Sequence, residues 1–210
     1  DITCGVAPAV IFYNVYECGS DDEDTASETV DTSAAGANVL IADGTINNVT
    51  GSYVARIYDP DTVELSEDGT EVVDSKKLHK YDGAFYSKMS MNVDGGEAGT
   101  GVLNITADNE GLDTELHLTI NGGTINITSG NDGINTNEDN VSVTTINGGS
   151  LTVNAGLGSE GDGIDSNGYL TINGGAIWTM ANETSPDGGI DADGAITING
   201  GTLYAFGTRN

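Results

Sequence analysis

The sequence predicts an all-β fold, a parallel β-helix (β-solenoid) with about 26 residues per coil, preceded by a non-repeating N-terminal segment. Three observations support this prediction. The tetrapeptide Ile-Asn-Gly-Gly recurs at a fixed spacing, apolar and polar residues alternate around each copy, and no stretch has the period of an amphipathic helix. We expect the solenoid to span residues 37–210 and the N-terminal segment to span residues 1–36.

The repeat is most regular in the second half of the chain. Four copies of Ile-Asn-Gly-Gly, each 26 residues from the next, begin at Ile120, Ile146, Ile172 and Ile198. Apolar residues occupy every second position on both sides of each copy, as in strands with one buried face. Such a unit buries that face only by stacking on its neighbours, so matching residues should become neighbours in space. The asparagines after the isoleucines then form a structural column whose amides hydrogen-bond along the stack and to the turn: Asn121, Asn147, Asn173 and Asn199.

Weaker coils continue upstream. Ala42–Gly51 resembles the regular repeat, and strand-like segments follow Tyr81. Between them, Arg56–Lys80 breaks the pattern and contains the turn-forming sequences Asp-Pro-Asp and Glu-Asp-Gly. We expect this segment to form hairpins or a loop excursion.

A second recurring feature is a turn of the type Asp-Gly-Ile flanked by oxygen-bearing side chains. In stacked coils these turns bring carboxylates and amides close together, and Ca²⁺ accepts six to eight such oxygen ligands. We therefore predict a calcium site, although Asp and Asn also favour turns that bind no metal. The predicted ligands are Asp132, Asn135, Asp162, Asp165, Asp187, Asp191 and Asp193.

Net charge limits the partners of the chain. Its 33 acidic residues against 6 basic ones give a formal charge of −27, so it lacks the basic patch that nucleic acid or an anionic membrane surface requires. The sequence contains no run of 18 or more apolar residues, so no segment is predicted to span a membrane. Divalent cations are the natural counter-charge for clustered carboxylates.

The two cysteines, Cys4 and Cys18, belong to no metal-binding motif. Their spacing favours a disulfide and hence a secreted protein in an oxidising, extracellular or cell-surface setting. Two free thiols are the alternative.

The segment Gly83–Lys88 (GAFYSK), followed by coils of the type LTINGGTINIT…DGI, resembles the secreted carbohydrate-binding β-helix proteins related in fold to pectate lyases. The resemblance covers Asp82 to Arg209. It implies a right-handed, single-stranded parallel β-helix, calcium at the Asp-Gly-Ile turns, and non-catalytic binding of polysaccharide. The N-terminal third does not match, and the sequence after Lys88 lacks the acidic residues that the family often carries there.

The sequence does not predict an enzyme. No Lys or Arg lies within the Asp-Gly-Ile turns to serve as the base of a lyase, and no Gly-x-Ser-x-Gly motif occurs. Almost every coil offers a pair of carboxylates, so such pairs do not single out a hydrolytic site.

An apolar and aromatic surface is expected near the C-terminal end. The alternation that directs Ile177 inward directs two columns outward, one with Trp178 and Tyr204 and one with Met180 and Phe206. Such a patch indicates a partner, which could be a polysaccharide or another protein.

The N-terminal segment offers a second hypothesis. Gly5–Tyr16 is the most hydrophobic stretch of the chain, and it either caps the first coil or adds a strand to a neighbouring copy. The sequence therefore leaves two functions open. One is a calcium-stabilised, carbohydrate-binding protein, and the other is a subunit that joins copies of itself head-to-tail into an extracellular filament or sheath.

Overall fold

The computed structural model describes residues 1–12, 36–58, 64–70, 72–74, 77–158, 161–186 and 188–207, and these residues form strands and turns with no helix. None of them forms a helix that is long and apolar enough to cross a membrane. The strands in chain order are β1 (Ile2–Ala7), β2 (Val10–Phe12), β3 (Ala37–Leu40), β4 (Thr45–Tyr58), β5 (Glu64–Leu65), β6 (Val72–Asp74), β7 (Lys77–Tyr81), β8 (Gly83–Ser87), β9 (Met91–Asp94), β10 (Val102–Ala107), β11 (Glu110–Thr114), β12 (Leu118–Ile120), β13 (Thr124–Ser129), β14 (Ile134–Thr136), β15 (Val143–Ile146), β16 (Ser150–Asn154), β17 (Tyr169–Ile172), β18 (Ala176–Met180), β19 (Ile196–Ile198) and β20 (Thr202–Phe206).

Apart from β5, β6 and β7, the strands form three parallel sheets that the chain visits in turn, over about five coils. Sheet A contains β1, β4, β10, β13, β16, β18 and β20 in that spatial order. Sheet B contains β2, β8, β11 and β14, and single bridges from Ile134 to Ile164 and on to Ile190 extend it through the last coils. Sheet C contains β3, β9, β12, β15, β17 and β19. The predicted β-solenoid is confirmed.

The pairing register places matching residues of successive coils side by side. In sheet C, Ile120 lies opposite Ile146, Ile146 opposite Ile172, and Ile172 opposite Ile198. The first three are buried in the core that the three sheets enclose, and each contributes about 1.5–3 kcal/mol by leaving water. Ile198 is 55% exposed because its strand is the last one of sheet C.

The bend after each strand of sheet C explains the repeated glycine pair. The second glycine of each Ile-Asn-Gly-Gly has a φ of 88–96°, in Gly123, Gly149, Gly175 and Gly201. A side chain is strained in this left-handed conformation, whereas glycine adopts it freely. The bend therefore requires glycine.

The asparagine column runs along the same corner. The amide Nδ2 of Asn147 donates to Oδ1 of Asn121 at 2.9 Å, and Asn173 and Asn199 repeat this bond to the coil before at 2.8 Å. Their backbone N–H groups donate to isoleucine carbonyls of the preceding coil at 2.7–2.8 Å. The asparagine side chains thus hydrogen-bond to one another, while their backbone N–H groups donate to backbone carbonyls of the neighbouring coil.

The described part of the N-terminal segment joins the solenoid's own sheets. β1 pairs with β4 and β2 pairs with β8, both in parallel, which is the capping alternative. Cys4 has a free thiol, so the predicted disulfide is not found, and Cys18 lies outside the described residues. The domain boundary between residues 36 and 37 stays a prediction, because residues 13–35 also lie outside them.

The described strands within Arg56–Lys80 form antiparallel pairs. β4 continues beyond sheet A and pairs with β7, and β5 pairs with β6. The predicted hairpins are confirmed. They separate the coil of β4 from that of β10, which pair directly in sheet A although 57 residues separate Thr45 from Val102.

Candidate functional site

Two surfaces of the solenoid concentrate functional side chains. The first, the acidic surface, follows the turns at sheet B. The second, the aromatic face, is the outer side of β18 and β20 in sheet A. The structure builds each of them by stacking residues that are far apart in the sequence.

The acidic surface begins with a buried cluster of three carboxylates. Oxygen atoms of Asp82, Glu110 and Asp113 lie within 4.8 Å of one another, and these side chains are 0–4% exposed. Asp113 alternates with the core residue Leu112 along β11, so it points away from the core. Three buried carboxylates at this separation repel one another unless protons or a cation neutralise them. This cluster could hold a metal ion.

Amide groups from the next coil surround the cluster. Nδ2 of Asn135 donates to Oε1 of Glu110 at 3.4 Å, and Nδ2 of Asn137 donates to Oδ1 of Asp113 at 2.8 Å. The carbonyl oxygen Oδ1 of Asn135 is buried and has no hydrogen-bond partner in the structure. It is therefore an oxygen that a cation could use without displacing an existing bond.

A second group of carboxylates continues along the surface. Burial raises the pKa of Asp165 to about 8, and repulsion from four neighbouring carboxylates adds to the effect, those of Asp132, Asp162, Asp191 and Asp193. The Asp162 N–H donates to Oδ1 of Asp132 at 2.7 Å, and Ser185 Oγ donates to Oδ1 of Asp162 at 2.5 Å. These bonds hold the carboxylates of Asp132 and Asp162 in place despite the repulsion within the group.

The predicted metal ligands therefore fall on one surface. Asp165 and Asp191 follow the bridged isoleucines of sheet B and extend the column of Asp113 and Asn135. Asp187 lies outside the described residues. Whether the described members bind a metal stays a prediction.

Sequence reasoning missed the most buried part of the surface. Glu110 and Asp113 belong to a degenerate copy of the Asp-Gly-Ile turn, and Asp82 precedes the glycine that pairs with Glu110. The pairing register of the coils could have identified them. Once the coils are aligned in this register, these acidic residues lie beside Asn135 of the next coil.

His117 takes no part in either surface. Its Nδ1 accepts a hydrogen bond from the Val143 N–H at 3.0 Å, and burial lowers its pKa. Through this bond, the neutral imidazole of His117 connects two coils.

The aromatic face has the predicted register. Trp178 lies opposite Tyr204, and Met180 lies opposite Phe206, on neighbouring strands of sheet A. Tyr204 is 59% and Phe206 48% exposed, whereas Trp178 and Met180 are half-buried. The rings of Trp178 and Phe206 have their centroids 5.6 Å apart at 47°, an aromatic contact that fixes both side chains.

A groove of about 590 Å³ lies beside this face. Its apolar wall is Met180 and Phe206, and the remaining lining comes from the turns next to β16, β18 and β20. The full lining is Gly156, Gly158, Met180, Ala181, Asn182, Glu183, Thr184, Phe206 and Gly207. Neither Trp178 nor Tyr204 lines it, so Trp178 is connected to the groove through its ring contact with Phe206.

A model of the family described as carbohydrate-binding domain-containing protein matches residues 23–208. No curated protein and no solved structure matches the chain. Since the match covers most of the 210 residues, the chain belongs to the carbohydrate-binding domain-containing protein family.

Proposed function

We propose that this protein is a secreted, non-catalytic solenoid that binds polysaccharide at the cell surface or in the matrix and holds Ca²⁺ at its acidic surface. The family match over residues 23–208 is the observation that carries the binding function. The aromatic face supports it, because a flat apolar ring suits the C–H face of a sugar. The spread of carboxylates over the whole acidic surface favours a structural role for them over an acid–base pair.

The calcium part of the proposal rests on the donor set. Asp82, Glu110, Asp113 and the unpartnered Oδ1 of Asn135 supply hard oxygen ligands within one buried region. The carboxylates around Asp165 would hold a further ion. Bound calcium would neutralise the repulsion between coils, so its role here is to stabilise the stack.

Affinity electrophoresis tests the binding function. The purified chain should be retarded in gels that contain cellulose derivatives or polygalacturonate, compared with gels without polysaccharide. Migration that none of these polymers alters would contradict the proposal. A parallel thermal melt should show a lower midpoint in chelator than in calcium.

Self-assembly into a filament is a second candidate, supported by the exposed strand edges. The described strands β1, β2 and β3 form one end of the sheets and β19 and β20 the other, and parallel strands of a second copy could extend them. Because β1 and β2 pair within their own chain, contact would be between coil ends without exchange of the N-terminal strand. Electron microscopy of the purified protein tests this: fibres would support it, and dispersed particles at high concentration would refute it.

A further inference from the structure

The groove beside the aromatic face differs from the rest of the surface in its charge. On a chain with a formal charge of −27, its described lining contains a single charged side chain, the exposed carboxylate of Glu183. Lys, Arg and His are absent from this lining. Among the described residues of the groove, a uronate would meet one carboxylate and no cation, whereas a neutral sugar would meet hydrogen-bond acceptors and an apolar wall.

The turn that carries Glu183 is held in place by Asn182. The buried Nδ2 of Asn182 donates to the carbonyl oxygen of Gly156 at 3.1 Å and also to that of Gly158. Its Oδ1 accepts from the Thr184 N–H at 2.8 Å and from Thr184 Oγ1 at 2.6 Å. Asn182 is therefore a positioning residue that joins the turns of two adjacent coils at the groove.

The apolar wall is equally fixed. Phe206 packs against Trp178 on one side and lines the groove beside Met180. An aromatic face that is already ordered loses little conformational entropy when a ligand stacks on it. The groove thus combines a rigid ring, an exposed carboxylate and backbone turns, which is the donor pattern that fits sugar hydroxyls and a sugar C–H face.

We propose that this groove binds a neutral glycan without calcium, with Phe206 stacking on a sugar ring and Glu183 accepting hydrogen bonds from its hydroxyls. The inference deepens the proposed function and rests on it, since it assigns the sugar class and the place where it binds. It separates sugar binding from the acidic surface, which then serves the stability of the stack.

Calorimetric titration with cellohexaose and with an oligogalacturonate of equal length, both in chelator, tests the inference. We expect saturable binding of cellohexaose only. Trp178 is the single tryptophan of the chain, so a change in its emission during the same titration would place the ligand at this face.

Three variants sharpen the test. Phe206→Ala should weaken cellohexaose binding about tenfold or more, as for a central aromatic contact. Glu183→Gln, which keeps the shape but removes the charge, should weaken it about fivefold. Tyr169→Ala is the matched control, because Tyr169 is also exposed (42%) but lies in sheet C, and it should bind as the unmodified chain does. Should Phe206→Ala not fold, Phe206→Leu removes the ring and keeps an apolar side chain.

The possible failures are distinguishable. Binding of oligogalacturonate alone, in calcium and unchanged by Phe206→Ala, would overturn the groove assignment and leave the proposed function intact. Binding of neither sugar class, in chelator or when the titrations are repeated in calcium, would contradict the proposed function itself. Emission of Trp178 that changes with protein concentration in the absence of sugar would assign the groove to a second copy of the chain and overturn the inference.

Discussion

Replacing Asp165 by Asn should raise the stability of the folded protein in chelator and lower it in calcium. Asp165 is surrounded by four carboxylates, and its own pKa is raised to about 8 by burial and by their repulsion. The amide of Asn has nearly the same shape and no charge, so the change removes the repulsion and also removes a charged ligand. Opposite effects in the two conditions would distinguish a cation site from a structural turn.

The magnitude follows from proton linkage. The folded chain keeps the Asp165 proton to a higher pH than the unfolded chain, whose carboxyl has its ordinary pKa of 3.8. The unfolding free energy in chelator should therefore fall as the pH rises from about 4 to about 8 and then level off. A tenfold change in proton affinity is about 1.4 kcal/mol, which sets an upper limit of roughly 6 kcal/mol. Since Asp165 is only half-buried and solvent screens its charge, we expect Asp165→Asn to gain about 2 kcal/mol at pH 8.

Urea unfolding followed by circular dichroism measures this difference at pH 5 and pH 8, with chelator and with saturating calcium. At pH 5 in chelator the variant should gain little, because Asp165 is already protonated in the folded chain. In calcium the unmodified chain should be the more stable one, since ligand binding adds about 2.7 kcal/mol at a hundred times the dissociation constant. Asp108→Asn, an exposed substitution outside the group around Asp165, is the control. A variant that is less stable than the unmodified chain in chelator at pH 8 would refute the reasoning.

Other predictions follow from the packing. Ile146→Ala, in the buried isoleucine column of sheet C, should lower the unfolding free energy measured by urea unfolding by about 3 kcal/mol. A loss below about 1 kcal/mol would contradict the burial of Ile146 in this column. Asn173→Ala, in the exposed asparagine column, should cost about 1 kcal/mol in the same assay, and a loss as large as that of Ile146→Ala would contradict its surface role. Gly163→Ala should destabilise by several kcal/mol, since its Cβ would lie 2.3 Å from the Gly189 carbonyl oxygen, and an unchanged melt would show that the coils are not that close.

The repeat was predictable from the sequence because its spacing is conserved to the residue. Once Ile172 and Ile198 are neighbours, the alternation along β18 and β20 places Trp178 and Tyr204 in one outer column of sheet A. The Asp-Gly-Ile turns are brought together as well, although the bridged residues Ile134 and Ile164 are 30 residues apart and Ile164 and Ile190 are 26 apart. Residues that are one repeat length apart in the sequence therefore lie side by side in the structure.

Features that depend on irregular coils could not be predicted in this way. The step from β10 to β13 is 22 residues rather than 26, so the carboxylates of Glu110 and Asp113 fall out of the sequence alignment but into the structural column. The groove depends on Asn182, whose side chain bridges turns of two coils, and no local pattern predicts such a contact. The thiol of Cys4 is free although the spacing to Cys18 suggested a disulfide, and Cys18 lies outside the described residues.

Methyl NOE spectroscopy on a chain labelled only at isoleucine δ1 carbons tests the stacking of the coils most directly. Adjacent strands of a sheet lie about 4.8 Å apart and next-but-one strands about 10 Å. The register therefore predicts strong cross-peaks from Ile146 to both Ile120 and Ile172, and none of comparable strength between Ile120 and Ile172. Absence of both Ile146 cross-peaks would contradict the stacked register and, with it, the acidic surface and the groove.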